Sequence, residues 1–450
     1  YAQRAYRFFL HDDEGSYAYA SWRISEGELP YRDFLTPQMP VFLCGGGLAV
    51  RLFGRSLVAL RVLSAGTMLL AAALLSALAR LLYGRRVALL TLSLFILQAD
   101  TFHNARFFRP EAPMLLFQIA GLYSLARAEK QHQRGYLLLA GSCFGLSILS
   151  KLFGVLAFGG AVFYLLYAWW RERRPWRLAL GRLAALACPA CVVVGVVGLA
   201  FYCVSPYFPT ATIGHHAMQH AALTLAQRAG KGILFLMSYV RAQPVAMVLA
   251  FGGAVLALRR TRALPALPLC VAPTAGVFLV LSRDLALRHL AYVVPGLCLL
   301  AGLALQWLAQ AAALSVGRGR RVTLLALALA AALLALAPWL VRNLEVSRLE
   351  ESDSSALVAL IQRYSRPDRL VMADFPGLNF LSGRHATYWS AGLSQGAAES
   401  GQISGEMLIG ELQSHPVDAV IIQAEGQGWQ MAGMHDYDAF RQYVQEHSFL

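Results

Sequence analysis

The sequence predicts an all-α polytopic membrane protein with a small extracytoplasmic α/β domain at its C-terminal end. Three observations predict it. Of 450 residues, 57% are apolar and 14% charged, where soluble domains run at about 25% charged. The charges gather in short clusters between apolar runs, and that pattern stops near residue 352.

A hydrocarbon core about 30 Å thick takes roughly 20 helical residues to cross. Apolar runs near that length lie at 57–79, 111–127, 135–150, 152–170, 183–205, 233–258, 264–282, 289–313 and 322–341. A shorter run at 87–99 is expected to extend to Thr101 or Phe102, which makes ten spans. Alternate loops carry Arg80/Arg85/Arg86, Arg127/Lys130/Arg134, Arg171/Arg173/Arg174/Arg177/Arg182, Arg259/Arg260/Arg262 and Arg318/Arg320/Arg321, 17 basic residues in all. The intervening loops hold seven: Arg106, Arg109, Lys151, Arg228, Lys231, Arg283 and Arg288. The positive-inside rule puts the first set in the cytoplasm. The net charge of +14 is then mostly a topology signal. No single basic stripe with interleaved exposed aromatics is visible, which argues against nucleic acid as a partner.

That parity assigns residues 1–56, a first loop with juxtamembrane segments, to the extracytoplasmic side. The transmembrane domain is expected over 57–341 and the α/β domain over 342–450. The stretch 40–53 is apolar, but it is short and holds three consecutive glycines. Counting it as a span would invert every loop, so it reads as interfacial or partly embedded. The chain starts at Tyr1 without Met, and a first signal-anchor span is expected ahead of it. In the tail, Ser354–Arg363, Ser404–Gln413 and Asp436–Glu446 read as helices. Arg369–Ala373 and Val417–Ile422 read as strands. Alternating strand and helix suggests an α/β unit. All seven cysteines lie in or beside apolar runs, which excludes a disulfide framework in the tail.

Ionisable groups against a bilayer are costly and are functional candidates for that reason. Three acidic positions stand out near the extracytoplasmic boundary. One is the cluster His11-Asp12-Asp13-Glu14-Gly15-Ser16-Tyr17; the second is Asp33, in Leu29-Pro30-Tyr31-Arg32-Asp33-Phe34. The third is Glu111, in Arg109-Pro110-Glu111, which opens a membrane helix. A first-turn acid is also favoured by the helix dipole alone. Lys151 and Arg288 are basic residues at the same boundary, where snorkelling would also place them. Tyr292, one helical turn from Arg288, is on the same face, as an ordinary interfacial aromatic would be. Among His215, His216 and His220, the last two are four apart and share one helix face.

These residues carry a resemblance. Asp-Glu-Gly-x-Tyr, then Gly-Glu-Leu-Pro-Tyr-Arg-Asp-Phe, then Phe53-Gly54-Arg55-Ser56 with Arg61, resembles the first extracytoplasmic loop of GT-C glycosyltransferases. The resemblance is to the family 39-like group that includes protein O-mannosyltransferases and lipid A aminoarabinose transferases. Arg109-Pro110-Glu111 is similar to that group's second acidic motif, and Ser150-Lys151-Leu-Phe-Gly154 resembles its Thr/Ser-Lys motif. Arg288-His289-Leu-Ala-Tyr292-Val-Val-Pro295 resembles its late Arg-x-x-Tyr-x-x-Pro motif. The stretch Asp374-Phe-Pro-Gly-Leu-Asn-Phe380-Leu-Ser-Gly-Arg384 resembles tails attached to such enzymes. The similarity runs from about residue 12 to the end.

The resemblance implies a GT-C fold and transfer of a monosaccharide, with inversion, from a polyprenyl-phosphate donor to an extracytoplasmic protein, lipid or polysaccharide. Such a transfer needs a base for the acceptor hydroxyl and cations for the leaving phosphate. Asp13 matches the family's catalytic Asp, with Asp12 a competitor because the Asp is doubled. Glu111 is expected to position the acceptor or orient Asp13, and Asp33 joins the catalytic set. Lys151, Arg288, Tyr292 and Arg109 are the candidates for the donor phosphate. Some relatives hold a divalent ion between a carboxylate and a loop histidine. That would pair Asp33 with His216 and His220, an optional metal, since a lipid monophosphate leaves with less metal help than a nucleotide diphosphate. The high Arg and Ala content suits a bacterium, hence an inner or plasma membrane. A transporter of lipid-linked precursors is the rival reading. It predicts charges along the middle of several spans, whereas the charges here cluster at one face.

Overall fold

The structure, a computed structural model, describes residues 12–214, 224–281, 287–315, 354–422, 430–431 and 433–447. Helices dominate it. Helix α1 (Asp12–Ser25) is followed by α2 (Pro40–Phe53), α3 (Leu57–Tyr83), α4 (Arg85–Leu97), α5 (Ala99–Arg106), α6 (Glu111–Gln131), α7 (Arg134–Ser150), α8 (Gly154–Arg171) and α9 (Trp176–Val204). After α10 (Leu225–Ala242) and α11 (Pro244–Leu258), a 3-10 segment at Leu264–Cys270 leads into α12 (Val271–Leu281). A second 3-10 segment, Leu287–Val293, leads into α13 (Val294–Ser315).

Three helical stretches among the described residues are long and apolar enough to cross a bilayer alone: Leu57–Tyr83, Trp176–Val204 and His289–Ala311. Their apolar faces are not all used inside. Val192, Val196 and Leu199 of α9 are each about 60% exposed, an apolar stripe at helical spacing with the character of a lipid-facing surface. Buried residues of α3, α4, α6, α7 and α8 form the largest core together with α13.

Most apolar runs lie where the hydropathy places them, with three corrections. The run 233–258, expected as one span, is two helices that meet at 101°. Pro244 has no N–H to continue the ladder and restricts Gln243 before it; Gln243 sits at φ −139°, ψ 50°. The run 264–282 begins as a 3-10 helix holding Pro265 and Pro268, and becomes α-helical only at Val271. The run at 87–99 does not extend to Thr101 or Phe102 as one helix. It ends at Leu97, and extended Gln98 separates it from α5. The expected span 322–341 lies outside the described residues.

Helix α2 has 14 residues, about 21 Å at 1.5 Å per residue, too short to cross the core. Leu48, Leu52 and Phe53 form an exposed apolar edge, while Gly46 and Gly47 face α1. A Cβ at Gly46 would lie 2.2 Å from Ser21 Oγ and 2.6 Å from Phe108, so only glycine lets α1 and α2 approach this closely.

Past residue 354 the chain forms α14 (Ser355–Tyr364), β1 (Leu370–Ala373), α15 (Pro376–Ser382), α16 (Gly405–Ser414), β2 (Val417–Ile421) and α17 (Tyr437–His447). The strands are parallel, with Val371 opposite Ala419 and Ala373 opposite Ile421, so the connection between them must cross over and uses helices to do so. This α/β segment packs on α1. Ala386 donates its N–H to Tyr19 Oη at 2.8 Å, and Phe380 stands edge-on to Trp22. Leu35 donates its N–H to the Tyr388 carbonyl at 3.1 Å. All seven cysteines are free thiols.

Candidate functional site

The site is built where the first turn of α1 meets the loop before α6. Asp13 and Glu14 both stand in that first turn, and their environments differ. Glu14 is fully buried, and Arg61 of α3 grips it with two bonds, Nε to Oε1 at 2.9 Å and Nη2 to Oε2 at 2.6 Å. The Phe108 N–H adds a third donor at 2.9 Å. Asp13 keeps about a third of its side chain exposed and accepts from Arg109 Nη2 at 3.1 Å.

Arg109 links the acidic motifs. Its guanidinium, 1% exposed, reaches Asp13 on one side and Glu111 Oε2 at 3.5 Å on the other. His103 Nε2 lies 3.1 Å from Nη1. Burial opposes the charge on Arg109, but the Glu111 and Asp13 carboxylates outweigh it and hold its pKa above the ordinary value. Pro110 sits ahead of the first turn of α6, which exposes Glu111 to the open end of the helix. Glu111 then accepts from Lys151 Nζ at 2.5 Å. A continuous chain of alternating charge results: Asp13, Arg109, Glu111, Lys151.

The late motif joins this chain through aromatic contacts. Lys151 Nζ lies 5.3 Å from the centre of the Phe153 ring, a cation–π distance. Phe153 packs against His289 at 4.9 Å and Phe278 at 5.3 Å. Phe278 in turn stands edge-on to Tyr292. Tyr292 is fully buried, and its hydroxyl has no partner within the protein. Gln118, on α6, donates to the Tyr292 carbonyl at 2.6 Å. Arg288 lies in the same 3-10 segment, with its side chain outside the described residues, as is that of Asp12.

Asp33 is not brought into this chain. Its Oδ1 accepts from Arg32 Nε and its Oδ2 from Arg32 Nη2, each at 2.8 Å, and Oδ2 also accepts from the Leu29 N–H at 2.8 Å. The Arg32 hydrogen bond holds its carboxyl below the usual carboxylate range. Asp33 thus closes the Leu29–Asp33 turn, in which Tyr31 takes φ 69°, and its oxygens are committed within the protein. His216 and His220, the expected metal partners, lie outside the described residues, as does His215. The described residues do gather another ligand set, Glu26, Glu28 and His385, with one donor atom of each within 4.8 Å of the others. Arg23 already takes Glu28 Oε2, so that carboxylate has its countercharge.

Of the residues expected from the sequence, Asp13, Arg109, Glu111 and Lys151 form one run of ion pairs, and Tyr292 connects to it through Phe278 and Phe153. The sequence did not show that Glu14 is buried in an ion pair while Asp13 stays partly exposed. It also missed α5, whose Asp100 and Asn104 are buried beside the site although their stretch reads as the end of a span.

A family match and structural likenesses fit this geometry. The dolichyl-phosphate-mannose-protein mannosyltransferase family matches residues 37–194. The fold is similar to that of ArnT from Cupriavidus metallidurans, solved bound to undecaprenyl phosphate, with TM-score 0.67 and 18% identity over 84% of this chain and 82% of that one. The chain has the GT-C fold. A second GT-C structure, the archaeal oligosaccharyltransferase AglB from Archaeoglobus fulgidus in complex with an inhibitory peptide and a dolichol-phosphate, is similar at TM-score 0.56. It shows 15% identity over 85% of this chain and 61% of that one. An Archaeoglobus fulgidus oligosaccharyltransferase solved in complex with Zn and sulfate has TM-score 0.55 and 14% identity, over 85% of this chain and 59% of that one. No curated protein matches the sequence.

Proposed function

We propose that the protein transfers a hexose or pentose from a polyprenyl-phosphate donor to an acceptor hydroxyl on the extracytoplasmic side of a bacterial inner or plasma membrane. The observation that carries this reading is the unequal state of the site's carboxylates. Glu14 and Glu111 are sequestered in buried ion pairs, while Asp13 beside them stays a third exposed. A base must reach the proton it takes, and Asp13 is the one of the three that solvent, and hence an acceptor, can reach. The ArnT and AglB structures contain undecaprenyl phosphate and dolichol-phosphate, which supports a donor of this class.

In the proposed reaction the acceptor oxygen attacks the anomeric carbon from the face opposite the phosphate. Its proton passes to an Asp13 oxygen, and the bond between that carbon and the phosphate oxygen breaks. The electron pair leaves with the polyprenyl phosphate. Arg109, fixed between Asp13 and Glu111, keeps Asp13 oriented. Lys151, held by Glu111 and Phe153, offers its ammonium to the departing phosphate, and the Tyr292 hydroxyl and Arg288 are the further groups proposed to bind it. A divalent cation, where bound, would add positive charge at the phosphate; the Glu26, Glu28 and His385 set stands at the other end of α1 from Asp13 and does not serve that phosphate. The acceptor class, whether protein, lipid or polysaccharide, is set by residues beyond this chain of charges.

The test is transfer from radiolabelled polyprenyl-phosphate sugars by the purified protein in lipid. Asp13→Asn keeps the size and loses the base. General-base removal costs about 10²–10⁴ in rate, so label should reach the acceptor only with wild type, at equal folded yield. Near-normal turnover by Asp13→Asn removes Asp13 from the mechanism. Labelled lipid that crosses the bilayer without losing its sugar, in both variants, would replace the enzyme with a transporter.

A further inference from the structure

Helix α5 (Ala99–Arg106, sequence ADTFHNAR) is polar, yet it is buried. Asp100, Thr101 and Asn104 are 8%, 2% and 1% exposed. An isolated carboxyl, hydroxyl and amide are unfavourable to bury without partners. Asp100 and Asn104 are one turn apart and share a face. Asp100 Oδ2 and Asn104 Oδ1 have no hydrogen-bond partner within the protein, and neither does the hydroxyl of Tyr239, a residue of α10 that is 2% exposed.

Helix α5 adjoins the charged chain at one side and the bend after α10 at the other. Asp100 is close enough to Glu111 and to Tyr239 for its charge to be felt at both. His103, on the same short helix, reaches Arg109. Gln98, at the start of α5, is hydrogen-bonded to Gln243 at the bend between α10 and α11, which ties the helix to the element that carries Tyr239. The break after Leu97 and the bend at Pro244 therefore meet, through Gln98 and Gln243.

The chemistry of the set selects its ligand. It carries no cation, so it does not suit a phosphate, which Arg109 and Lys151 already serve. It is too polar for a prenyl chain. Burial, with a smaller contribution from Glu111, pushes the Asp100 carboxyl up to about 7, so near neutrality it both donates and accepts. A carboxyl, an amide and a phenol together match a neutral ring rich in hydroxyls. We propose that Asp100, Asn104 and Tyr239 form the subsite that binds the hydroxyl groups of the transferred sugar. The inference rests on the reading of the protein as a polyprenyl-phosphate glycosyltransferase and adds to it where the sugar lies.

Binding tests it separately from transfer. Full-length protein in lipid nanodiscs would be titrated with bare undecaprenyl phosphate and with undecaprenyl-phosphate glucose, galactose, mannose and arabinose. Wild type should bind at least one sugar-bearing lipid more tightly than the bare one. Asp100→Asn and Tyr239→Phe, both close to isosteric, should remove about tenfold of that advantage, the scale of one hydrogen bond to a ligand, and change bare undecaprenyl phosphate less than twofold. Equal weakening of bare and sugar-bearing lipids, or no change in either, overturns the subsite. So does a wild type that binds all five alike. Thermal unfolding of each variant identifies loss of fold, and the milder variant that keeps the wild-type transition then decides. Wild type that binds a sugar-bearing lipid selectively but transfers nothing would sink the proposed reaction and leave the subsite standing.

Discussion

Asp13 and Glu14 are chemically near-identical neighbours that the fold has given opposite environments. The Asp-Glu pair was legible in the sequence as a cluster with chemical potential. Which carboxylate is structural was not, because the answer comes from Arg61, 47 residues away, and the Phe108 N–H, 94 residues away. Breaking a buried ion pair by removing one partner costs about 3–5 kcal/mol, since the other charge is left buried and uncompensated. Glu14→Ala should therefore lower the unfolding midpoint strongly, and so should Arg61→Ala. The double variant should lose less than the sum of the two, which a double-mutant cycle of thermal unfolding in detergent measures. Additive losses would show that the pair is not coupled as described. Lys151→Met probes the other end of the chain. Glu111 keeps Arg109 in that variant, so the protein should remain folded while transfer falls at least tenfold. A rate within twofold of wild type would place the phosphate elsewhere.

Helices α1 and α2 show how an element's role can be visible while its packing is not. The length and apolarity of 40–53 excluded a full span, and the structure gives a 14-residue helix with an exposed apolar edge. The purpose of three successive glycines could not be read, because it depends on what α1 presents across the interface. Gly46 faces Ser21 and Phe108, Gly47 faces Ile24, and Gly45 faces open space. Overpacking a tight contact costs about 1–3 kcal/mol, so Gly46→Ala should destabilise by about that much. Gly45→Ala meets nothing and gains about 0.5–1 kcal/mol of helix propensity, so it should be neutral or mildly stabilising. Unfolding midpoints of the two variants check the contrast, and equal effects would contradict the α1–α2 approach. The breaks at Gln98 and Gln243 belong to the same class of feature. Hydropathy read both regions as continuing helix, because an apolar run carries no signal for a change of direction except proline. Pro244 was such a signal, whereas the end of α4 at Gln98 had none.

At the scale of the molecule, the α/β tail and the membrane helices clasp α1 between them, so the tail supports the helix that carries Asp13. The strands and helices of the tail were legible from alternating pattern; its docking surface was not, because the contacts join residues more than 350 positions apart, such as Tyr19 with Ala386 and Tyr31 with Tyr388. Gly383 ends α15 at φ 69°, and a Cβ there would fall 2.2 Å from an Arg55 guanidinium nitrogen. That close approach brings Arg55 and His385 to the Trp22 ring, at 5.0 and 4.9 Å. The joint is sensitive to acid. Burial, then the charges of Arg23 and Arg55, push the His385 pKa down from 6.5 to about 4, although Glu26 and Glu28 lie within 4 Å of its ring nitrogens. In the unfolded chain the same histidine takes a proton near 6.5. Between about 6.5 and 4 the unfolded state therefore binds the proton that the folded state refuses, and stability falls as pH falls through that window. Glu28 pulls the other way, because burial raises its carboxyl pKa. His385→Gln isolates the histidine from that opposing effect. The midpoint of thermal unfolding should drop more steeply from pH 7 to pH 5 in wild type than in His385→Gln. Limited proteolysis at pH 5 should release the tail faster from wild type. Parallel pH profiles for the two proteins would mean that His385 stays solvated enough to titrate normally, and that the contact between the tail and α1 is not what acid loosens.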